Sequence, residues 1–308
     1  MSFIFTTPQA LDNAAKSVSG IHDLWLADSK TAITVVNAIV PPAADPVSNR
    51  MVGRILEHMA QYQQISSQAL EYLRGFSQGL AENAEAYRLA EAQNTQPSTD
   101  LAKHQTSTAD NAIRDNNRHQ PKGARNKQMP FTLTPAHQIS YQMYAGPGAD
   151  SMRAASQQLR ELAFSADTTA DSLNDTLFDL DDTWIGGSSA FMTDAALRYL
   201  KWLSKHSKRL WQTANTIHHL ANTYEDIRQR VVPPAAIEDN REEVRRLIAS
   251  DITGENAPAI AELDEQYQSY GDTNVQAMNL YAERAQTLLS QLPRWQEPPQ
   301  IHQRGRGG

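Results

Sequence analysis

The 308-residue chain contains no cysteine, which removes disulfide frameworks, thiolate nucleophiles and cysteine-ligated metals from the possible chemistry. It also lacks a long hydrophobic run. Its most apolar stretch, Ala32 to Val40, is short and carries Thr34 and Asn37, whereas a membrane-crossing helix needs about 20 apolar residues in succession. Met1 to Leu11 holds no basic residue, and no apolar core with a small-residue cleavage site follows. No cleavable secretory leader is expected, so a chain of this kind that leaves the cell must carry a different signal. Basic character is scarce too. The formal net charge is -7, to which residues 1–96 contribute -3, residues 97–128 +3 and the remainder -7. An acidic body with one mildly basic stretch argues against nucleic acid as the main partner. Catalytic signatures are missing as well: there is no Gly-x-Ser-x-Gly elbow, phosphate loop or dinucleotide fingerprint. Nine histidines are present without a metal pattern. His218 and His219 are adjacent and diverge by about 100° on a helix. No catalytic residue, metal or cofactor is expected, and the chain reads as non-enzymatic.

What the chain has instead is helical periodicity, in two blocks. Apolar residues recur at three, four and seven from Pro8 to Val36, through Leu11, Ala14, Val18, Ile21, Trp25 and Ala32. Val40-Pro41-Pro42 stops that helix. Asp45 can cap a second one with Pro46 in its first turn. The second helix carries Val47, Met51, Ile55, Met59, Tyr62, Ile65, Phe76, Leu80, Ala84 and Tyr87, and to Ala92 it would run roughly 70 Å. Such a hairpin leaves a long apolar stripe uncovered and needs a partner. Residues 97–128 are mostly polar and read as a disordered linker. Met129-Pro130-Phe131 then looks like a second start. An irregular segment to Ala149 precedes helices over about 151–182, 188–231, 236–252 and 258–292. Pro293 to Gly308 is rich in Pro, Arg and Gly and reads as a disordered tail. The expected organisation is a helical unit at 1–96, a linker at 97–128, a second helical unit at 129–292 and a tail at 293–308. Strand-like alternation is nearly absent, so the fold class is all-α, an elongated bundle.

The motifs at the element boundaries resemble those of two mycobacterial families. Met1-Ser2-Phe3, Ile39-Val40-Pro41-Pro42-Ala43-Ala44-Asp45 and Tyr87-x-x-x-Glu91 resemble a PE domain. Met143-Tyr144-Ala145-Gly146-Pro147-Gly148, Trp184-Ile185-Gly186, Val232-Pro233-Pro234 and Asn256-Ala257-Pro258-Ala259-Ile260 resemble a PPE domain. The name-giving residues differ: Pro8-Gln9 stands in the first unit and Pro135-Ala136-His137 in the second. The resemblance implies a two-helix hairpin packed on a five-helix unit. It also implies export through a type VII (ESX) secretion system to the cell surface or medium, after a cytoplasmic stage in which an EspG-type chaperone keeps the pair soluble. An intracellular helical adaptor is the alternative reading.

Four groups of residues follow from these readings. Tyr87 and Glu91, four apart on one helix face, and Trp184 and Gly186, at a turn between helices, are implied by the resemblance to form a composite export signal. On spacing alone, Trp184 and Gly186 equally suit a tight turn over a buried indole. Leu247, Ile248, Ile252 and Gly254 lie at an apolar tip that the resemblance makes the chaperone site. Local packing against Ile260 and Leu263 is the plainer account. Ile55, Met59, Ile65 and Phe76 are expected to form the interface between the units, with the second helix lying along the helices at 151–182 and 188–231.

Overall fold

Two prolines and an aspartate shape the first hairpin. In the computed structural model, which describes residues 5–94, 135–181, 184–185, 187–252 and 254–301, helix α1 (Pro8–Asn37) is followed by α2 (Pro46–Asn94). Pro41 and Pro42 cannot continue α1. The buried Asp45 carboxylate accepts the backbone N–H groups of Val47 and Ser48 at 2.8 and 2.9 Å, so it satisfies donors that the helix start leaves open. With 49 residues, α2 runs about 73 Å.

The second unit has five helices: α3 (Ala136–Tyr144), α4 (Asp150–Asp181), α5 (Gly187–Arg230), α6 (Pro234–Ser250) and α7 (Ala257–Ser290). The all-α expectation holds, as does the two-plus-five division. A pair of two-residue strands is the only departure among the described residues. Strand β1 (Phe5–Thr6) pairs antiparallel with β2 (Trp184–Ile185), Phe5 opposite Ile185 and Thr6 opposite Trp184. Helix α3 occupies ground the sequence reading left irregular. Its apolar face is Ile139 and Met143, both buried, too few residues to establish a period. The expected linker at 97–128 lies outside the described residues.

Helix α1 packs on α2 and on α4, and α4 packs along α5. The expected arrangement, with α2 against both α4 and α5, is therefore corrected: α1 takes the place beside α4. Ile21 of α1 and Leu162 of α4 are buried on this side, and the Ser165 hydroxyl of α4 donates to the Asp28 carboxylate of α1 at 2.5 Å, whereas Ser29 and the Ala15 carbonyl of α1 turn to α2. Helix α2 carries Tyr62 and His58 toward α5, which answers with Tyr199 and His206. These rings hold the two backbones apart, and among the helices of the second unit α2 lies closest to the C-terminal half of α7.

The loop between α1 and α2 joins the units at one level of the bundle. The Ala44 N–H donates to the carbonyls of Gln142 and Ala145, and the Gly148 N–H donates to that of Pro42. A Cβ on Gly146 would stand 2.4 Å from the Pro42 oxygen and 2.7 Å from the Ala43 Cα, so only glycine admits this loop. Gly148 has φ +80°, a conformation glycine adopts at little cost. The Pro41-Pro42 and Gly146-Pro147-Gly148 motifs, distant in sequence, thus meet face to face. Beyond this level, α6 and the first half of α7 form a hairpin that projects past the first unit.

Candidate functional site

Helices α1 and α2 are antiparallel, so the C-terminal end of α2 returns to the start of α1. Arg88 pairs there with Asp12 of α1 and with Glu85 one turn back. Tyr87 is half-buried and packs against the core, while Glu91 is exposed. A few residues before Asp12, Thr6 pairs with Trp184. The backbone of Trp184 therefore shares one end of the bundle with Tyr87 and Glu91. Gly186 and the side chain of Trp184 lie outside the described residues.

The opposite end is the turn between α6 and α7. Its geometry is built by short polar side chains. The Asp251 carboxylate accepts the Gly254 N–H at 2.7 Å, and the Asn256 amide donates to the Leu247 carbonyl at 2.9 Å, closing the last turn of α6. Gly254 has φ +82°, which lets the chain reverse. Of the four tip residues, Leu247 is half-buried. Ile248 and Ile252 are 59% and 95% exposed. Leu247 is thus partly sheltered, and the two isoleucines stand in solvent. Further down the hairpin, Arg241 bonds to Asp264, to the Leu263 carbonyl and to Asn240, and its guanidinium lies over the Tyr267 ring at 4.3 Å. These contacts hold α6 on α7, so the apolar tip stands on a stiff support.

Between the two ends lies the middle of the bundle. Ile55, Met59 and Phe76 are buried on α2, and Ile65 is half-buried at the edge of the core. The residues that tie α2 to the second unit most visibly are others. His58 Nε2 lies 3.2 Å from the Thr213 hydroxyl, the Tyr199 hydroxyl donates to the Ala69 carbonyl, and the Ser48 and Tyr281 hydroxyls are 3.1 Å apart. His206 is fully buried, with Trp202 stacked on it at 4.6 Å and Tyr62 at 5.5 Å.

Sequence reasoning missed the element that completes this layer. Residues 293–301, expected to start a disordered tail, lie along the α2–α5 seam. The Trp295 ring sits 4.8 Å from His58, 5.2 Å from Tyr62 and 5.4 Å from His206. Its Nε1–H donates to the His58 carbonyl, and Trp202 Nε1–H donates to the Gln296 carbonyl, both at 2.9 Å. Ile301 is 2% exposed. The missed signal was Trp295 itself, a large aromatic residue in a stretch otherwise suited to solvent. Burial pushes the imidazoles down to about 3 at His206 and about 4 at His58, and the charges of Arg209 and Arg54 add to it. Both rings are held neutral. No metal-binding cluster occurs among the described residues, and the polar groups gathered here bind the chain to itself.

Comparison with known proteins agrees with the boundary motifs. The model of the PE family matches residues 4–94, and that of the PPE family matches residues 130–293. The PPE family protein PPE57 of Mycobacterium tuberculosis is 56% identical over 173 residues, 56% of this chain and 98% of the relative. PPE41 of the same species is 34% identical over 173 residues, or 56% of this chain and 89% of that protein. Among solved structures, EspB from the ESX-1 type VII secretion system superposes with a TM-score of 0.62 at 11% identity, covering 97% of this chain and 98% of EspB. Mycobacterium marinum EspB gives 0.58 at 12% identity, with 96% of each chain covered. At such identities the likeness is one of fold. It extends over both units and their mutual arrangement, whereas the sequence relatives cover the second unit. The chain belongs to the PPE family and carries a PE family domain ahead of its PPE domain.

Proposed function

We propose that this chain is a non-enzymatic substrate of a mycobacterial type VII secretion system, exported as a folded PE–PPE pair to the cell surface or medium. The observation that carries this reading is the joint one: a PE and a PPE domain, in that order, folded as one bundle whose fold is shared with EspB of ESX-1. Tyr87 and Glu91 on α2 and the Trp184-Ile185-Gly186 turn form the export signal. Before export, an EspG-type chaperone covers the α6–α7 tip through Leu247, Ile248 and Ile252, with Gly254 shaping the turn. Two exposed isoleucines at the end of a projecting hairpin suit that role, because uncovered apolar surface promotes aggregation.

The test is export from a mycobacterial host, comparing culture filtrate with lysate, with and without the secretion ATPase. The wild-type chain appears in the filtrate only with the ATPase, and Tyr87→Ala is retained in the cell although folded. A chain found only in the lysate would reverse the reading in favour of an intracellular adaptor. The chaperone is tested separately by titrating the cognate chaperone against Ile252→Arg. This substitution of a 95% exposed residue leaves the fold intact. Loss of binding supports the tip as the docking site, and unchanged affinity removes it.

A further inference from the structure

The outward face of α4 and α5 carries two matched rows of side chains. On α4, Phe164, Asp167, Asp171, Asp175 and Phe178 follow at intervals of three or four, and all are exposed. On α5, Leu197, Lys201, Lys205, Lys208 and Trp211 do the same. Such intervals keep each set on one side of its helix. Each row spans about 21 Å, begins and ends with a large apolar residue and holds three charges of one sign between. The four apolar residues are 40–72% exposed.

Within the chain the two rows do not neutralise each other. None of the six charged residues enters an ion pair among the described residues. The ion pairs of these helices lie elsewhere, at Arg153 with Asp150 and Glu225, Arg198 with Asp194, and Asp226 with Arg230 and Arg284. Three aspartates spaced four apart repel one another along α4, so the row costs the isolated helix stability. A chain with net charge -7 has, in the lysine row, a concentrated cationic strip beside a concentrated anionic one.

We infer that this face binds a second copy of the same chain. The two rows are parallel strips of opposite sign side by side, so the face is complementary to itself. The hydrogen bonds from Ser156 to the Ala214 carbonyl and from Ser207 to the Ala163 carbonyl fix how α4 and α5 stand level. Continuing that ladder places Asp167 level with Leu203, between Lys201 and Lys205, and Asp171 level with Tyr199, between Arg198 and Lys201. A two-fold axis parallel to the helices lays α4 of one copy over α5 of the other, which sets Asp167 and Asp171 against Lys201 and Lys205 twice over. A two-fold axis across the helices would set aspartate on aspartate, so charge selects the first arrangement. The shared face is about 21 by 20 Å, or on the order of 800 Å² over both copies, below the roughly 1,200 Å² of a stable interface. The dimer is accordingly weak, sensitive to salt and dependent on concentration.

Sedimentation equilibrium of the full chain tests this. Wild-type protein dimerises at low salt, and the dissociation constant rises about tenfold or more between about 50 and 500 mM NaCl. Asp167→Lys with Asp171→Lys, and separately Lys201→Glu with Lys205→Glu, give monomers of unchanged melting temperature, because all four residues are exposed. Mixing these two variants in equal amounts restores the dimer, since each then presents to the other what it lacks for itself. A wild-type chain that stays monomeric at low salt overturns the inference, and so does a mixture that fails to pair. A monomer whose lysine row instead binds phosphatidylglycerol vesicles overturns it too, and assigns the row to a membrane surface.

Discussion

Along the seam between α4 and α5, small residues meet the opposite backbone: Ser156 and Ala163 on one side, Ala214 and Ser207 on the other, all buried. Ser156 and Ser207 each donate to a carbonyl of the opposite helix at 2.9 Å. Along the seam between α2 and α5, the contacts are made by Tyr62, Tyr199, Trp202 and His206, with Trp295 of the 293–301 segment set among them. The first seam is narrow, and its register is fixed by bonds to the backbone. The second is wide and is filled by rings. It buries more apolar surface per residue, yet it leaves polar atoms stranded: both nitrogens of His206 and Nε1 of Trp25 are buried with no hydrogen-bond partner among the described residues. Narrow packing gives precision. Wide packing gives area, and it leaves room for a segment from elsewhere in the chain.

The comparison can be broken most directly at Trp202. Truncation to alanine empties the wide seam and removes the bond to the Gln296 carbonyl, at an expected cost of about 3–5 kcal/mol. Chemical denaturation should show that loss. Limited proteolysis should show earlier cleavage within 293–301 than in the wild-type protein. A variant as stable as wild type would mean that the rings are filler.

Acid should separate the two seams next. His58 and His206 have folded values near 4 and 3, both below the ordinary 6.5. The stability tied to their neutral forms is complete above about pH 6.5 and is lost as pH falls from there toward the folded values. At pH 5 the two together cost about 3–4 kcal/mol. The narrow seam buries no histidine; the half-buried His218 at its edge, whose pKa is lowered by desolvation and by Arg160 and Arg153 of α4, adds to the loss in the same direction. His206→Phe keeps the stacking and gives up no hydrogen bond, so it should leave stability at pH 7 nearly unchanged and flatten its fall toward pH 5. Parallel pH profiles for the variant and the wild type would remove His206 as the source.

The smallest of the three effects belongs to the narrow seam. Ala163→Leu forces added volume where α4 meets α5, at an expected cost of about 1–3 kcal/mol. Its pH profile should keep the wild-type shape, offset downward. A neutral Ala163→Leu would show that this seam has slack and that small side chains are not what sets its spacing.

The division into two helical units, the helix ends at the proline pairs and the order of the six longer helices were readable in the sequence, whereas α3 and the strand pair were not. The readable features depend on local chemistry: caps, ring closures at proline and apolar periods. Ile55, Met59 and Phe76 were legible as buried for the same reason, because a helix of regular period announces its inner face. Which helix lies beside α4 was not legible. That choice rests on contacts such as Ser165 of α4 with Asp28 of α1, which an apolar period does not announce. The 293–301 segment was hidden for a related reason. Its prolines and arginine describe a chain without regular structure, and only Trp295 hints that irregular backbone can still be buried. At the tip, the turn at Gly254 and Asn256 was legible, whereas the exposure of Ile248 and Ile252 beside a half-buried Leu247 was not.

The pairing of Thr6 with Trp184 has a consequence in time. Nearly all of the first unit, the 95–134 segment and α4 lie between these two residues, so this is a contact of very long sequence separation. Closing so large a loop is entropically unfavourable until other contacts have already shortened it. The hairpins α1–α2 and α4–α5 can form from near neighbours. The end that carries Tyr87 and Trp184 can be completed only after both hairpins have docked. A surface assembled in that order works as a record of finished folding, and any factor that reads it distinguishes a completed molecule from a partly folded one without inspecting the core.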